Sequence, residues 1–162
     1  MNAQAIPQFT LEHIEGHAVS LSDFRGQTVV VAVSDKNTAD EMVHGIDALR
    51  SHYDPDQLQI LAVADMGGIP RPARMIAKKQ MKKGFAEAVE KESGRLQAAG
   101  KPVPPASQLV VMLPDWDGVV ANSFGISDTD QASAFILIDA DGNVRGYGRG
   151  TEAAKQIMEL FT

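Results

Sequence analysis

Four short apolar runs set what the chain can fold into: TVVVAV at 28–33, LQILAVA at 58–64, LVVML at 109–113 and AFILI at 134–138. Each is far shorter than the roughly 20 residues that cross a bilayer. The run at 28–33 is continuous where a half-exposed strand would alternate, the signature of a central strand covered on both faces, and the run at 58–64 reads as a second buried strand. Between the first two runs, Met42, Ile46, Leu49 and Tyr53 recur at three- and four-residue spacing beside polar Asp40, Glu41 and Asp47. That period predicts an amphipathic helix. Two buried strands joined by a helix make a βα unit of a parallel sheet.

The remaining elements follow from turn and cap signals. Residues 9–11 and 18–21 are β-like and meet through Glu15-Gly16, so a small hairpin opens the chain. Residues 22–24 before Arg25-Gly26 read as one helical turn. Thr38 is placed to cap the first long helix, with Glu41 completing a capping box. Residues 69–101 are helical in composition, and Gly84 and Gly94 predict one kinked helix or two shorter ones. After the proline-rich stop KPVPPAS comes the third strand, then a short helix at 119–124 ended by Gly125. Asp141-Gly142 predicts a hairpin between 134–138 and 144–147, and Thr151 is placed to cap a terminal helix. With no internal repeat, one domain over residues 1–162 is expected.

Composition excludes several chemistries. The chain has no cysteine, which rules out disulfides, thiolate metal sites and thiol catalysis by its own residues. The first sixteen residues lack a basic region followed by an apolar core, so a cytoplasmic location is expected. The net charge of −6 disfavours nucleic acid as a partner. Metal sites are not expected either. His13 and His17 flank a turn, His44 and His52 have no third ligand at a useful spacing, and Asp139-x-Asp141-Gly142 lacks the rest of a calcium loop.

Three segments carry a family likeness: FTLEHIEGHAVSLSDFRGQTVVV at 9–31, DWDGVVANSFGI at 115–126 and AFILIDADGNVRGYGRG at 134–150. In this order they resemble the thioredoxin-like fold in its redoxin branch, which includes peroxiredoxins and thiol-disulfide oxidoreductases. The resemblance leaves out the middle of the chain and implies a central mixed sheet flanked by helices. It also implies an N-terminal β-hairpin and a long helical insertion at 66–107, after the second central strand. It places the family's Cys-x-x-Cys on Asp35, Lys36, Asn37 and Thr38, with Thr38 at the peroxidatic position, and the active-site proline near Ser133. Neither cysteines nor proline stand there. A hydroxyl has no accessible ionised form near neutral pH and no sulfenic acid or disulfide chemistry. The resemblance therefore implies a scaffold without thiol redox activity, no catalytic residue and no cofactor. Capping alone is the favoured role for residues 34–38; an anion held by the helix N–H groups would be opposed by Asp35.

One charge asymmetry remains. Residues 71–83, RPARMIAKKQMKK, hold six basic side chains, Arg71, Arg74, Lys78, Lys79, Lys82 and Lys83, and no acidic residue lies between Asp65 and Glu87. Removing these six charges from −6 leaves −12 for the remainder. In a helix, Arg71, Arg74, Lys78 and Lys82 share one stripe, while Ala77, Met81, Phe85 and Ala88 share another suited to covering a sheet. The expectation is a binding or regulatory module that meets a protein partner, of acidic character, through the basic face. Contact of that face with an anionic membrane surface is a weaker expectation. The competing reading is a non-thiol enzyme, with Ser34 or Thr38 near His44, or a small-ligand carrier using a pocket around 34–38.

Overall fold

A computed structural model describes residues 7–161. The reading of the extreme N-terminus as leaderless falls partly on residues 1–6, outside the described residues. Among the described residues, seven strands and five α-helices follow one another in the order of a mixed α/β fold. A hairpin of β1 (Thr10–Glu12) and β2 (Ala18–Ser20) leads through a 3-10 turn into β3 (Val29–Ser34). Helix α1 (Ala39–Arg50), β4 (Gln59–Asp65), α2 (Arg74–Ala98) and α3 (Ala106–Leu109) come next. Then follow β5 (Val111–Asp115), α4 (Val119–Ser123), β6 (Ala134–Ile138), β7 (Val144–Arg149) and α5 (Ala153–Glu159).

The main sheet has the order β5-β4-β3-β6-β7. Strands β3, β4 and β5 are parallel, while β6 runs antiparallel to both β3 and β7. Its centre is the valine run: Val30, Val31, Ala32 and Val33 are wholly buried. Alternate side chains feed two cores. Val29, Val31 and Val33 join Leu61, Val63, Leu113 and Ile136 beneath the hairpin and α4. Val30 and Ala32 join Ile60, Ala62, Phe135 and Leu137 beneath α1 and α5. The fold is thioredoxin-like, with a long helix after the second central strand.

Of the two alternatives for 69–101, the two-helix one is excluded: α2 is one helix through Gly84 and Gly94, where an added Cβ would meet nothing within 4 Å, so these glycines weaken the helix without ending it. Three local expectations are corrected. Leu109 closes α3 instead of starting a strand, and β5 continues through Pro114, tolerated because β5 is an edge strand. Thr151 lies in a 3-10 turn before α5, with Glu152 at the cap position. Helix α4 is capped from outside its sequence window, because the buried Asp115 carboxylate accepts the Val119 and Val120 N–H groups at 3.0 and 2.8 Å.

The hairpin covers part of the β5 edge, and His13 fastens it there. Its Nε2–H donates to the Val110 carbonyl at 3.0 Å, and its Nδ1 accepts the Glu15 N–H at 3.0 Å. That pair of partners selects the neutral tautomer. The His17 ring stacks on it at 4.6 Å and Phe85 of α2 meets its edge at 5.3 Å, so the two histidines converge despite the turn between them. With both His13 nitrogens engaged, the pair is not a metal site. Burial, more than the Val110 hydrogen bond can offset, holds the His13 pKa below its ordinary value, and His17 adds to the depression. The unfolded chain then binds this proton more readily, so stability falls as pH drops through the ordinary imidazole range near about 6.5. Urea unfolding at pH 7.5 and 5.5 checks this: His13→Gln, which keeps a donor for Val110, flattens the difference.

Candidate functional site

The fold brings the end of β3, the first turn of α1, the exit of β4 and the entry to β6 to one end of the sheet. Ser34 is 1% exposed and Thr38 4% exposed. Thr38 does not cap α1 with its side chain. Its hydroxyl donates to the Thr129 carbonyl at 2.6 Å and accepts the Asp35 N–H at 3.1 Å. Thr129 in turn donates its own hydroxyl to Asp65, at the end of β4, at 2.9 Å. The tip is thereby tied to two neighbouring segments.

Glu41 departs from the capping-box reading as well. Its Oε1 accepts both the N–H and the hydroxyl of Ser133, each at 2.8 Å, across 92 positions of sequence. Ser133 is fully buried. Its carbonyl accepts from the Gly150 N–H at 2.9 Å and from Arg149 Nε at 3.2 Å. Arg149 Nη2 continues to Asp128 at 2.6 Å, and that hydrogen bond holds the Asp128 carboxyl below its usual range. A tertiary partner won over the local cap in both cases, because a buried Ser133 left without Glu41 would leave a donor unmet.

Of the positions where the resemblance puts the family's chemistry, Lys36 and Asn37 are exposed and Asp35 is half-buried, its carboxylate accepting the Asn37 N–H at 2.6 Å. Asp35, Asp40 and Glu41 gather negative charge about the start of α1, which opposes an anion there. The Thr38 proton goes to a backbone carbonyl, and His44 is exposed with no hydrogen bond to Ser34 or Thr38 among the described residues. That arrangement supplies no activated nucleophile. No group of three or more His, Asp or Glu side chains among the described residues could hold a metal ion. Thr129, Asp65, Arg149 and Asp128, which complete this network, carry no local pattern that would single them out.

The basic segment lies on α2 and the 3-10 turn at Arg71–Ala73. Lys78, Lys79, Lys82 and Lys83 are exposed, while Ala77, Met81 and Ala88 are half-buried and Phe85 is buried, as the two stripes predict. Arg74 is half-buried, with its guanidinium 5.3 Å from the centroid of the Trp116 ring. Among the described residues, Arg71 and these four lysines form no ion pair. The sequence reading missed Met75 and Ile76, which are 75% and 63% exposed in the midst of these cations. No helix of the described residues is long and apolar enough to cross a membrane.

A sequence profile of the AhpC/TSA family matches residues 3–147. This chain belongs to the AhpC/TSA family. No curated protein matches it in sequence. Solved structures resemble this AhpC/TSA chain over nearly its whole length. The exposed lipoprotein thioredoxin Etrx1 of Streptococcus pneumoniae is 16% identical, with 94% of this chain and 98% of that one covered at a TM-score of 0.62. StoA of Bacillus subtilis is 15% identical, with 98% and 99% covered at 0.59. A secreted disulfide oxidoreductase of Mycobacterium tuberculosis, homologous to E. coli DsbE, is 13% identical, with 94% and 92% covered at 0.56. At these identities the likeness is one of fold, and this chain has no cysteine.

Proposed function

We propose that this chain is a redox-inactive redoxin that works as a binding module, docking an acidic segment of a protein partner on the first half of α2. The observation that carries the reading is the pair Met75 and Ile76, exposed on a helix among five cations that form no ion pair among the described residues. Large aliphatic side chains in water are favourable only when covered, by about 1.5–3 kcal/mol for a fully buried one. The surrounding lysines would steer and select a partner of opposite charge. The hydrogen-bonded tip around Thr38 and Ser133 supports the same reading from the other side, since no reactive group is presented there.

The test is capture of partners from native lysate on immobilised protein at low and moderate salt, with two variants. Lys78→Glu combined with Lys82→Glu should reduce recovery of a specific partner about tenfold or more, and raised salt should do the same. Met75→Ser combined with Ile76→Ser should weaken capture without changing its salt dependence. Recovery unchanged in both variants overturns the proposal. So does binding to phosphatidylserine vesicles with no protein captured, which would assign the face to a membrane surface.

A further inference from the structure

A second feature lies behind α2, on the side facing the sheet. Between α1 and α2, above β4 and β5, is a cleft of about 520 Å³. That volume falls within the roughly 300–1,000 Å³ typical of small-molecule sites. Its walls are mainly apolar, with Met42, Ile46, Ile60, Ala62 and Ala88 among them. The ion pair of Lys91 with Asp47, at 3.0 Å, joins the two helices at its rim.

Two charged side chains line this cleft although both are more than nine-tenths buried: Arg50 at 6% exposure and Glu92 at 7%. Arg50 donates from Nη1 to the Leu58 and Tyr53 carbonyls, at 2.7 and 3.4 Å. Arg50 and Glu92 attract one another, yet no ion pair joins them. Glu92 forms an ion pair with Arg95 of the same helix at 3.5 Å, and Arg95 itself does not line the cleft. Burial raises the Glu92 pKa, against the pull of Arg95 and Arg50. Among the described residues Glu92 accepts no hydrogen bond and Arg50 donates only from Nη1, which leaves polar atoms of both for a bound group of matching polarity.

We propose that the cleft between α1 and α2 binds a small apolar molecule bearing one neutral donor–acceptor group, of the amide class, which accepts from Arg50 and donates to Glu92. The charge of the walls selects neutrality. At the buried charges an anionic head would meet Glu92 and a cationic head would meet Arg50; the other lining charges, Asp40, Asp47, Glu87 and Lys91, stand nearer solvent, with Lys91 and Asp47 paired to each other. An amide adds one hydrogen bond to each buried charge, and its alkyl body covers the apolar walls. The site reaches the first turn of α1 at Ala39 and Asp40 but includes none of Ser34, Thr38, Ser133, Lys78 or Lys82.

Octanamide, octanoate and octylamine share one apolar body and differ in head-group charge, so they serve as probes. Titration is followed by methyl NMR at Ile46, Ala62 and Ala88 and by calorimetry. Octanamide is expected to saturate these shifts, with octanoate and octylamine weaker by about tenfold or more. Gly84 lines the cleft in the middle of α2 with open space where its Cβ would be. Gly84→Phe should therefore fill the cleft and abolish octanamide binding while the protein stays folded by circular dichroism. Ala88→Leu serves the same purpose if Gly84→Phe does not fold. No saturable shift with octanamide, equal affinity for all three probes, or undiminished binding to a folded cleft-filling variant each overturns the proposal.

Discussion

Phe135→Ala is expected to lose about 3–5 kcal/mol of stability, the range for emptying a large aromatic site in a packed core. Phe135 is fully buried on central strand β6, and it is where α1 comes down onto the sheet. A Cβ added at Gly45 of α1 would lie 2.5 Å from Phe135 Cζ, closer than packed atoms can be. Gly45→Ala alone should accordingly cost about 1–3 kcal/mol through overpacking, in spite of alanine's better helix propensity. The two effects are coupled. In a Phe135→Leu background, Gly45→Ala should cost less than in the native chain, with a coupling energy of about 0.5–3 kcal/mol. Chemical denaturation of the four proteins in this cycle measures it. Additive costs would contradict the close approach of α1 to β6.

Glu41→Ala is expected to cost about 2–4 kcal/mol, because it strips the acceptor from both the N–H and the hydroxyl of a fully buried Ser133. A capping-box glutamate in the first turn of a helix would cost about 1 kcal/mol. The magnitude therefore distinguishes a tertiary tie from a local cap. Ser133→Ala removes only the hydroxyl, so it should cost less, and Glu41→Ala should then cost less in that background than in the native chain. Urea unfolding midpoints of the two single variants and the double variant settle which role Glu41 has.

What the sequence made legible follows physical locality. The central strands were readable because three of them are continuous apolar runs, and burial on both faces leaves no alternation to confuse them. The closing hairpin was readable from Asp141-Gly142, where Gly142 takes a φ of +85° that favours glycine. The unbroken α2 was not, because glycine propensity counts against a helix whereas nothing local shows that Gly84 and Gly94 can be carried within one. Thr38 and Glu41 were assigned to each other at three-residue spacing, yet each bonds to a residue about 90 positions away. Arg149, Asp128 and Thr129 joined the network through chain folding alone. The cleft between α1 and α2 was equally out of reach, since its two buried charges lie on different helices.

The account depends on a strand–helix tip that is tied shut, so that any binding takes place elsewhere on this redoxin scaffold. Native-state amide hydrogen exchange tests this directly at two positions whose N–H groups donate to side chains: Asp35, bonded to Thr38, and Ser133, bonded to Glu41. Protection of both amides, approaching that of the central strand β3, is the predicted result. Exchange at the rate of unstructured amides would mean the tip stands open, and would contradict the account.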